Sequence, residues 1–200
     1  MKRSGLRKIG GKMLKRQFVA VILAVLMTAT LGYAVEIGGI NMPESLTTGQ
    51  TKLLLNGAGV REKFFIDLYV GGLYLRQKSQ DAKAIIEADE PMAIRLHIIS
   101  SMITSKKMEK ATREGFEHAT GGNVEAIKVQ IEEFISVFKE EIKEGDIYDL
   151  IYVPGKGVEV KKNNESRSTI KGFPFKQAMF GIWLSDKPAQ KSLKKAMLGE

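Results

Sequence analysis

The stretch from Leu53 to Leu75 reads LLLNGAGVREKFFIDLYVGGLYL. It is apolar and glycine-spaced, and it carries a permanent cation, Arg61, just after its first glycines. A guanidinium among apolar and aromatic neighbours suits one kind of chemistry: holding an anionic group at a cleft mouth through charge-assisted hydrogen bonds while apolar walls take the rest of the ligand. The plain alternative is a surface arginine. On a strand of period two, Arg61 shares a face with Lys63, Phe65 and Asp67, and an exposed Arg61–Asp67 pair would contribute little.

Other chemistries fail on inventory. Gly57-Ala58-Gly59 resembles the opening of a dinucleotide loop, but the next position in that pattern is Glu62, and FFIDLYV continues as strand. No helix N-terminus follows to hold a pyrophosphate, so the glycines are expected to make a tight turn. There are two histidines and no cysteine. His97 lies mid-strand beside Arg95, and His118 sits at a helix C-terminus, where it suits the helix dipole. Neither has metal-ligand spacing, so no metal is implied. No Gly-x-Ser-x-Gly elbow is present for a serine nucleophile. The pairs Lys106-Lys107, Lys161-Lys162 and Lys194-Lys195 fit a solvated face. Phe180 and Trp183, three apart on a helix, fit core packing.

The elements that must position Arg61 follow from periodicity. Val35–Asn41 suggests an edge strand ended by Met42-Pro43. Thr51–Leu55 and Val60–Asp67 suggest strands around a turn at Asn56-Gly57, with Leu68–Arg76 continuing as strand. Asp81–Ala88 suggests a short helix. Pro91–Ser100 is a strand with Met92, Ile94, Leu96 and Ile98 on one face. Helices are predicted over Ser105–Ala119, with Ser105 as N-cap, and over Asn123–Lys143, with the stripe Ile127, Ile131, Phe134, Ile135, Phe138 and Ile142. Asp146–Val153, Gly157–Lys162 and Glu165–Lys171 read as a meander turning at Pro154–Gly157 and Asn163-Asn164. Helices over Phe173–Trp183 and from Asp186 and Pro188 to Leu198 close the chain. Strands, helices, then strands again define an α+β class, an antiparallel sheet with helices on one face.

The formal charge of +8 is unevenly spread. Residues 1–34 hold seven cations and no acid, which leaves 24 Lys and Arg against 23 Asp and Glu in 35–200. A nucleic-acid partner is therefore not expected, since it needs a basic folded surface. The basic segment precedes the apolar run FVAVILAVLMTATLGYA, Phe18–Ala34, which ends in small residues. This is the pattern of a secretory signal over residues 1–34, cleaved after Ala34, with an uncleaved anchor as the alternative. Residues 35–200 are then one exported domain, periplasmic or secreted, and membrane contact is expected only through an uncleaved N-terminal segment.

LNGAGVREKFFIDLYVGGLYL resembles the signature of the chalcone isomerase-like family, in which a Gly-Ala-Gly-Val-Arg turn leads into a strand ending Gly-x-Tyr-Leu. The likeness extends through RLHIISSMITSKKMEKATREGF, IEEFISVFKEEIKEGDIYDLIYVPGKGVEV and GIWLSDKPAQKSLKKAMLG, four segments in the family's order. The resemblance implies an open-faced β-sandwich, a large antiparallel sheet under a layer of helices, with a cleft between them. In the family's true isomerases the arginine and several hydroxyls stabilise an enolate during ring closure of a chalcone. Carried over residue by residue, Arg61 matches the arginine and Tyr69 takes the place of a threonine. Lys107 or Met108 stands for the catalytic tyrosine, Glu109-Lys110 matches, Glu114 replaces an asparagine, and Phe175 falls at a Ser/Thr position. Other members of the family bind fatty acids without catalysis, using the same arginine for the carboxylate.

Three functions are thus expected in order. The first is binding of a small amphipathic carboxylate such as a fatty acid in a cleft formed by Arg61, Tyr69, Lys107, Met108, Lys110, Glu114 and Phe175, with Phe64 and Phe65 adding apolar surface. The second is an isomerase acting on an enone, with Arg61, Tyr69 and Lys110 as catalytic candidates and Lys110 as a base if burial lowers its pKa. The third is an interaction protein with a vestigial cleft. No cofactor is implied by any of them.

Overall fold

The computed structural model describes residues 34–200. The basic and apolar segment that suggests export, apart from its last residue Ala34, lies outside them. Two glycines with positive φ, Gly38 and Gly39, close a hairpin of β1 (Ala34–Ile37) and β2 (Ile40–Pro43). The segment expected as one edge strand is therefore two. Next come β3 (Ser45–Thr48), β4 (Thr51–Lys63), β5 (Ile66–Leu75), β6 (Met92–Ile98), β7 (Ile147–Val153), β8 (Gly157–Lys162) and β9 (Glu165–Ile170). β3 to β9 form a seven-stranded sheet in chain order, every pair antiparallel. The helices are α1 (Ala82–Glu87), α2 (Ser105–Ala119), α3 (Lys128–Ser136), α4 (Phe173–Leu184) and α5 (Lys191–Met197).

Alternation along the strands gives the sheet two different faces. Leu73, Ile94, Ile98, Tyr148, Leu150 and Val160 pack against the helices through Phe116, Phe134, Phe175 and Phe180. Their neighbours along the strands, Val70, Tyr74, Ala93 and Ile151, face the other way and form a smaller core with Met42, Leu53 and Leu55. The β1–β2 hairpin contributes Met42, Ile37 and Ile40 to that second core. Further along the same face, Arg95 holds Asp149 in a bidentate pair at 2.7 and 2.8 Å. The α+β architecture, an antiparallel sheet with helices on one face, is as the sequence predicts.

Several local expectations are corrected. Asn56-Gly57 is not a turn. β4 runs straight through it as one thirteen-residue strand with a bulge between Leu55 and Gly57. The glycines are there because α5 crosses the strand. A Cβ on Gly57 would stand 2.1 Å from the Ala196 carbonyl oxygen, and one on Gly59 would stand 2.6 Å from the Ala196 Cβ. The bulge turns Asn56 inward, where its side chain donates to Ser79 O and Met197 O and accepts from Ser79 N. The chain instead reverses at Phe64-Phe65.

The second helix is shorter than its apolar stripe. A 3-10 turn at Glu125–Ile127 leads into α3, which ends at Ser136, although Phe138 and Ile142 are buried as expected. Backbone bonds from Val137, Phe138 and Lys139 reach back only three residues, so the helix unwinds through a tighter turn. The freed carbonyls of Glu140 and Glu141 accept from Ser105 Oγ and Lys162 Nζ. Thr104, one residue before the expected Ser105, caps α2. The last helix begins at Lys191, because 185–190 forms a connection whose Ala189 N–H returns to Ile182 O.

Candidate functional site

Arg61 lies near the end of β4, directly opposite Tyr69 on β5. Beyond it a second bulge sets Glu62 against Asp67 across the hairpin, so Arg61 is not paired with Asp67. Its guanidinium donates through Nη1 to Glu62 O and, at 2.9 Å, to Gln190 Oε1. Gln190 Oε1 also accepts from the Glu62 N–H at 2.9 Å, so one amide ties the 185–190 connection to the strand and fixes the cation. Among the described residues Arg61 makes no ion pair.

Tyr69 is 8% exposed. Its hydroxyl accepts from Trp183 Nε1 on α4 at 3.0 Å. That leaves the phenol's own proton to donate. Burial pushes the Tyr69 pKa up, with Trp183 and Arg61 acting in the opposite direction, so at neutral pH the group is a protonated donor beside a guanidinium.

Both side chains line a cavity of about 520 Å³ between the helix face of the sheet and α2 and α4. This is within the usual range of roughly 300–1,000 Å³ for small-molecule pockets. The helices come close because Gly115 of α2 lies against Ile182 of α4, where a Cβ would be 2.9 Å from Ile182 Cγ2. The inner walls are apolar: Leu68, Leu96, Ile103, Met108, Phe134, Phe138 and Ile182, with Thr112 as a buried hydroxyl. Lys63, Phe64, Met102, Lys107, Lys110 and Glu114 line it from exposed positions.

The structure thus brings Arg61, Tyr69, Lys107, Met108, Lys110 and Glu114 to one cavity. Phe175 is a correction. It is fully buried behind the wall, its ring 5.5 Å from Phe116 and 5.9 Å from Phe134, so it supports the cavity without facing it. Phe65 does not line it either, standing 97% exposed at the hairpin tip. Lys110 is 79% exposed and sits 3.8 Å from Glu114, one turn along the helix. Lys107 Nζ donates to Met102 O at 3.0 Å.

Sequence reasoning missed Trp183 and Gln190. Trp183 is buried as expected, but its indole N–H is committed to Tyr69. Its position on α4 gives no sign of this, because the pairing spans 114 residues. Gln190 has no motif; only the return of the chain to β4 gives it a role. Among the described residues no three His, Cys, Asp or Glu side chains gather as metal ligands, and no helix is long and apolar enough to cross a membrane.

The fold is similar to the crystal structure of a fatty-acid binding protein from Arabidopsis thaliana, with a TM-score of 0.64 and 19% identity over 80% of this chain and 92% of that one. At this identity the likeness shows a shared fold. No curated protein matches the chain. A family model described as chalcone isomerase-like matches residues 34–199, nearly all of the described sheet and helices, and the chain accordingly belongs to the chalcone isomerase-like family.

Proposed function

We propose that the protein binds a small amphipathic carboxylate, of the fatty-acid class, in the cavity ending at Arg61. One observation carries this: an arginine that makes no ion pair among the described residues lies opposite a protonated, buried phenol, and both line a cavity whose inner walls are apolar. The ligand carboxylate would accept from Arg61 and from the Tyr69 hydroxyl, and its chain would lie along Leu68, Leu96, Met108, Phe134 and Ile182. A charge-assisted contact of this kind is worth about 1.5–3 kcal/mol. Each buried methylene adds about 0.8 kcal/mol, before the cost of ordering the ligand.

Binding is favoured over enone isomerisation by the placing of Lys110, which stands 79% exposed beside Glu114 and is not enclosed with a reacting group in the cavity. We further propose that the domain acts outside the cytoplasm, on the strength of the basic and apolar N-terminal sequence; the exported protein is expected to begin at Val35 when its N-terminus is sequenced. The binding test is titration of the protein with oleate and with methyl oleate. Saturable binding of the acid, and much weaker binding of the ester, is expected. Equal binding of both would remove Arg61 from the account, and binding of neither would end it.

A further inference from the structure

Among the described residues, three two-residue hairpin turns have both residues at positive φ, and they differ in chemistry. Gly38-Gly39 and Asn163-Asn164 use residues that tolerate the left-handed region. The third, between β4 and β5, uses Phe64 (φ 53°) and Phe65 (φ 63°). A bulky side chain is disfavoured in that conformation, and water disfavours the exposed rings. Yet Phe64 is 84% and Phe65 97% exposed. Neither local backbone preference nor the protein's own core accounts for two aromatic rings here.

Their surroundings supply a reason. Phe64 lines the cavity, while Phe65 projects beyond it. Ile66 and Met102 are also exposed, at 40% and 48%. Lys63, Lys107 and Lys110 line the same cavity from exposed positions, and Lys63 Nζ lies 5.8 Å from the centre of the Phe64 ring. Glu62, Asp67, Glu109 and Glu114 are the acids on these segments; Glu109 is already held by Arg113, and Glu114 is beside Lys110. An aromatic tip with neighbouring lysines is the chemistry that enters a bilayer interface: rings go to the headgroup–acyl boundary and cations to anionic headgroups.

We propose that the Phe64-Phe65 hairpin tip docks the protein on an anionic lipid surface, placing the cavity mouth against the membrane from which an amphipathic acid is taken or to which it is delivered. This is a membrane contact separate from the N-terminal segment. It rests on the binding function proposed above for what it delivers, but the docking itself can be tested alone.

Phe65 is the residue to change, since it does not line the cavity. In the full chain, Phe65→Trp is compared with the parent, whose single tryptophan is the buried Trp183. The probes are vesicles of phosphatidylcholine with phosphatidylglycerol, with and without brominated acyl chains. The added emission is expected to shift to the blue on vesicle addition and to be quenched by the brominated lipid. It should do so more weakly in pure phosphatidylcholine or high salt. Phe65→Asn, suited to the left-handed turn, should slow oleate transfer from vesicles by about tenfold, the effect of losing one inserted ring. It should leave oleate affinity in vesicle-free buffer unchanged.

Emission from residue 65 that stays water-like on vesicles overturns docking, even if oleate binds in buffer. Emission already blue in buffer, with a dimer in sedimentation, means the tip meets a second copy and also overturns it. Equal insertion into neutral vesicles overturns the anionic requirement. Insertion by a protein that binds no oleate supports docking while the binding function fails.

Discussion

The central pair, Arg61 and Tyr69, couples a charge to a donor whose protonation is protected. Truncating Arg61→Ala should weaken binding of a long-chain carboxylate by roughly ten- to a hundredfold, the equivalent of about 1.5–3 kcal/mol. It should scarcely change binding of the methyl ester; parallel titrations of acid and ester check this. Tyr69→Phe removes the ligand's second donor and leaves the Trp183 N–H without its acceptor. A stability loss of about 1–3 kcal/mol is expected for that buried orphan donor, measured by denaturant unfolding, together with a weaker ligand. Arg61 and Tyr69 were legible in the sequence because one is an isolated cation in an apolar run and both fall within a family motif. Gln190 and Trp183, which hold them, were not. Their roles are hydrogen bonds made across 129 and 114 residues, and neither changes a local pattern.

At the level of elements, close approach explains what local preference could not. Gly57→Ala would drive a methyl group into the Ala196 carbonyl, a rigid backbone atom. Displacement of α5 and a loss of about 1–3 kcal/mol are expected, with greater amide exchange over residues 191–198 as the specific sign. The end of α1 is held differently. Lys176 of α4 is fully buried and donates from Nζ to the carbonyls of Ile85, Ile86 and Ala88 at 3.0, 2.8 and 2.7 Å. Lys176→Met should leave those carbonyls unsatisfied and fray α1, costing about 2–3 kcal/mol in denaturant unfolding. β6, α2, the β7–β9 meander and most of α4 could be read from the sequence because period and turn residues agree there, although the cap of α2 falls on Thr104 and not on Ser105. The Asn56-Gly57 turn was misread because α5, which requires the glycines, arrives 140 residues later. The true turn carries phenylalanines, which no turn rule favours. The helix expected over 123–143 kept its buried residues but not its length, since Ser105 and Lys162 offer the backbone other partners.

For the whole molecule, the buried ionisable groups set an alkaline limit. Burial raises the pKa of Tyr69, Tyr74 and Tyr148, and burial with the Asp89 hydrogen bond raises that of Tyr152 to about 12. An unfolded tyrosine titrates near 10. These groups therefore contribute stability that is intact below about pH 10 and lost as pH rises through the folded values. Burial acts oppositely on Lys176, lowering it to about 8. Between there and the unfolded value of about 10.4 the unfolded chain binds the extra proton, so this group's contribution rises with pH. Unfolding midpoints measured against pH should rise or hold from 8 to 10 and then fall steeply; Lys176→Met should remove the rise and leave the fall. The central claim, that Arg61 anchors an amphipathic acid in the cavity, is tested most directly by mass spectrometry of solvent extracts from the purified protein, wild type beside Arg61→Ala. The account predicts a co-purifying carboxylic acid in the wild type that is lost or strongly depleted in the variant. A ligand retained equally by both proteins would contradict it.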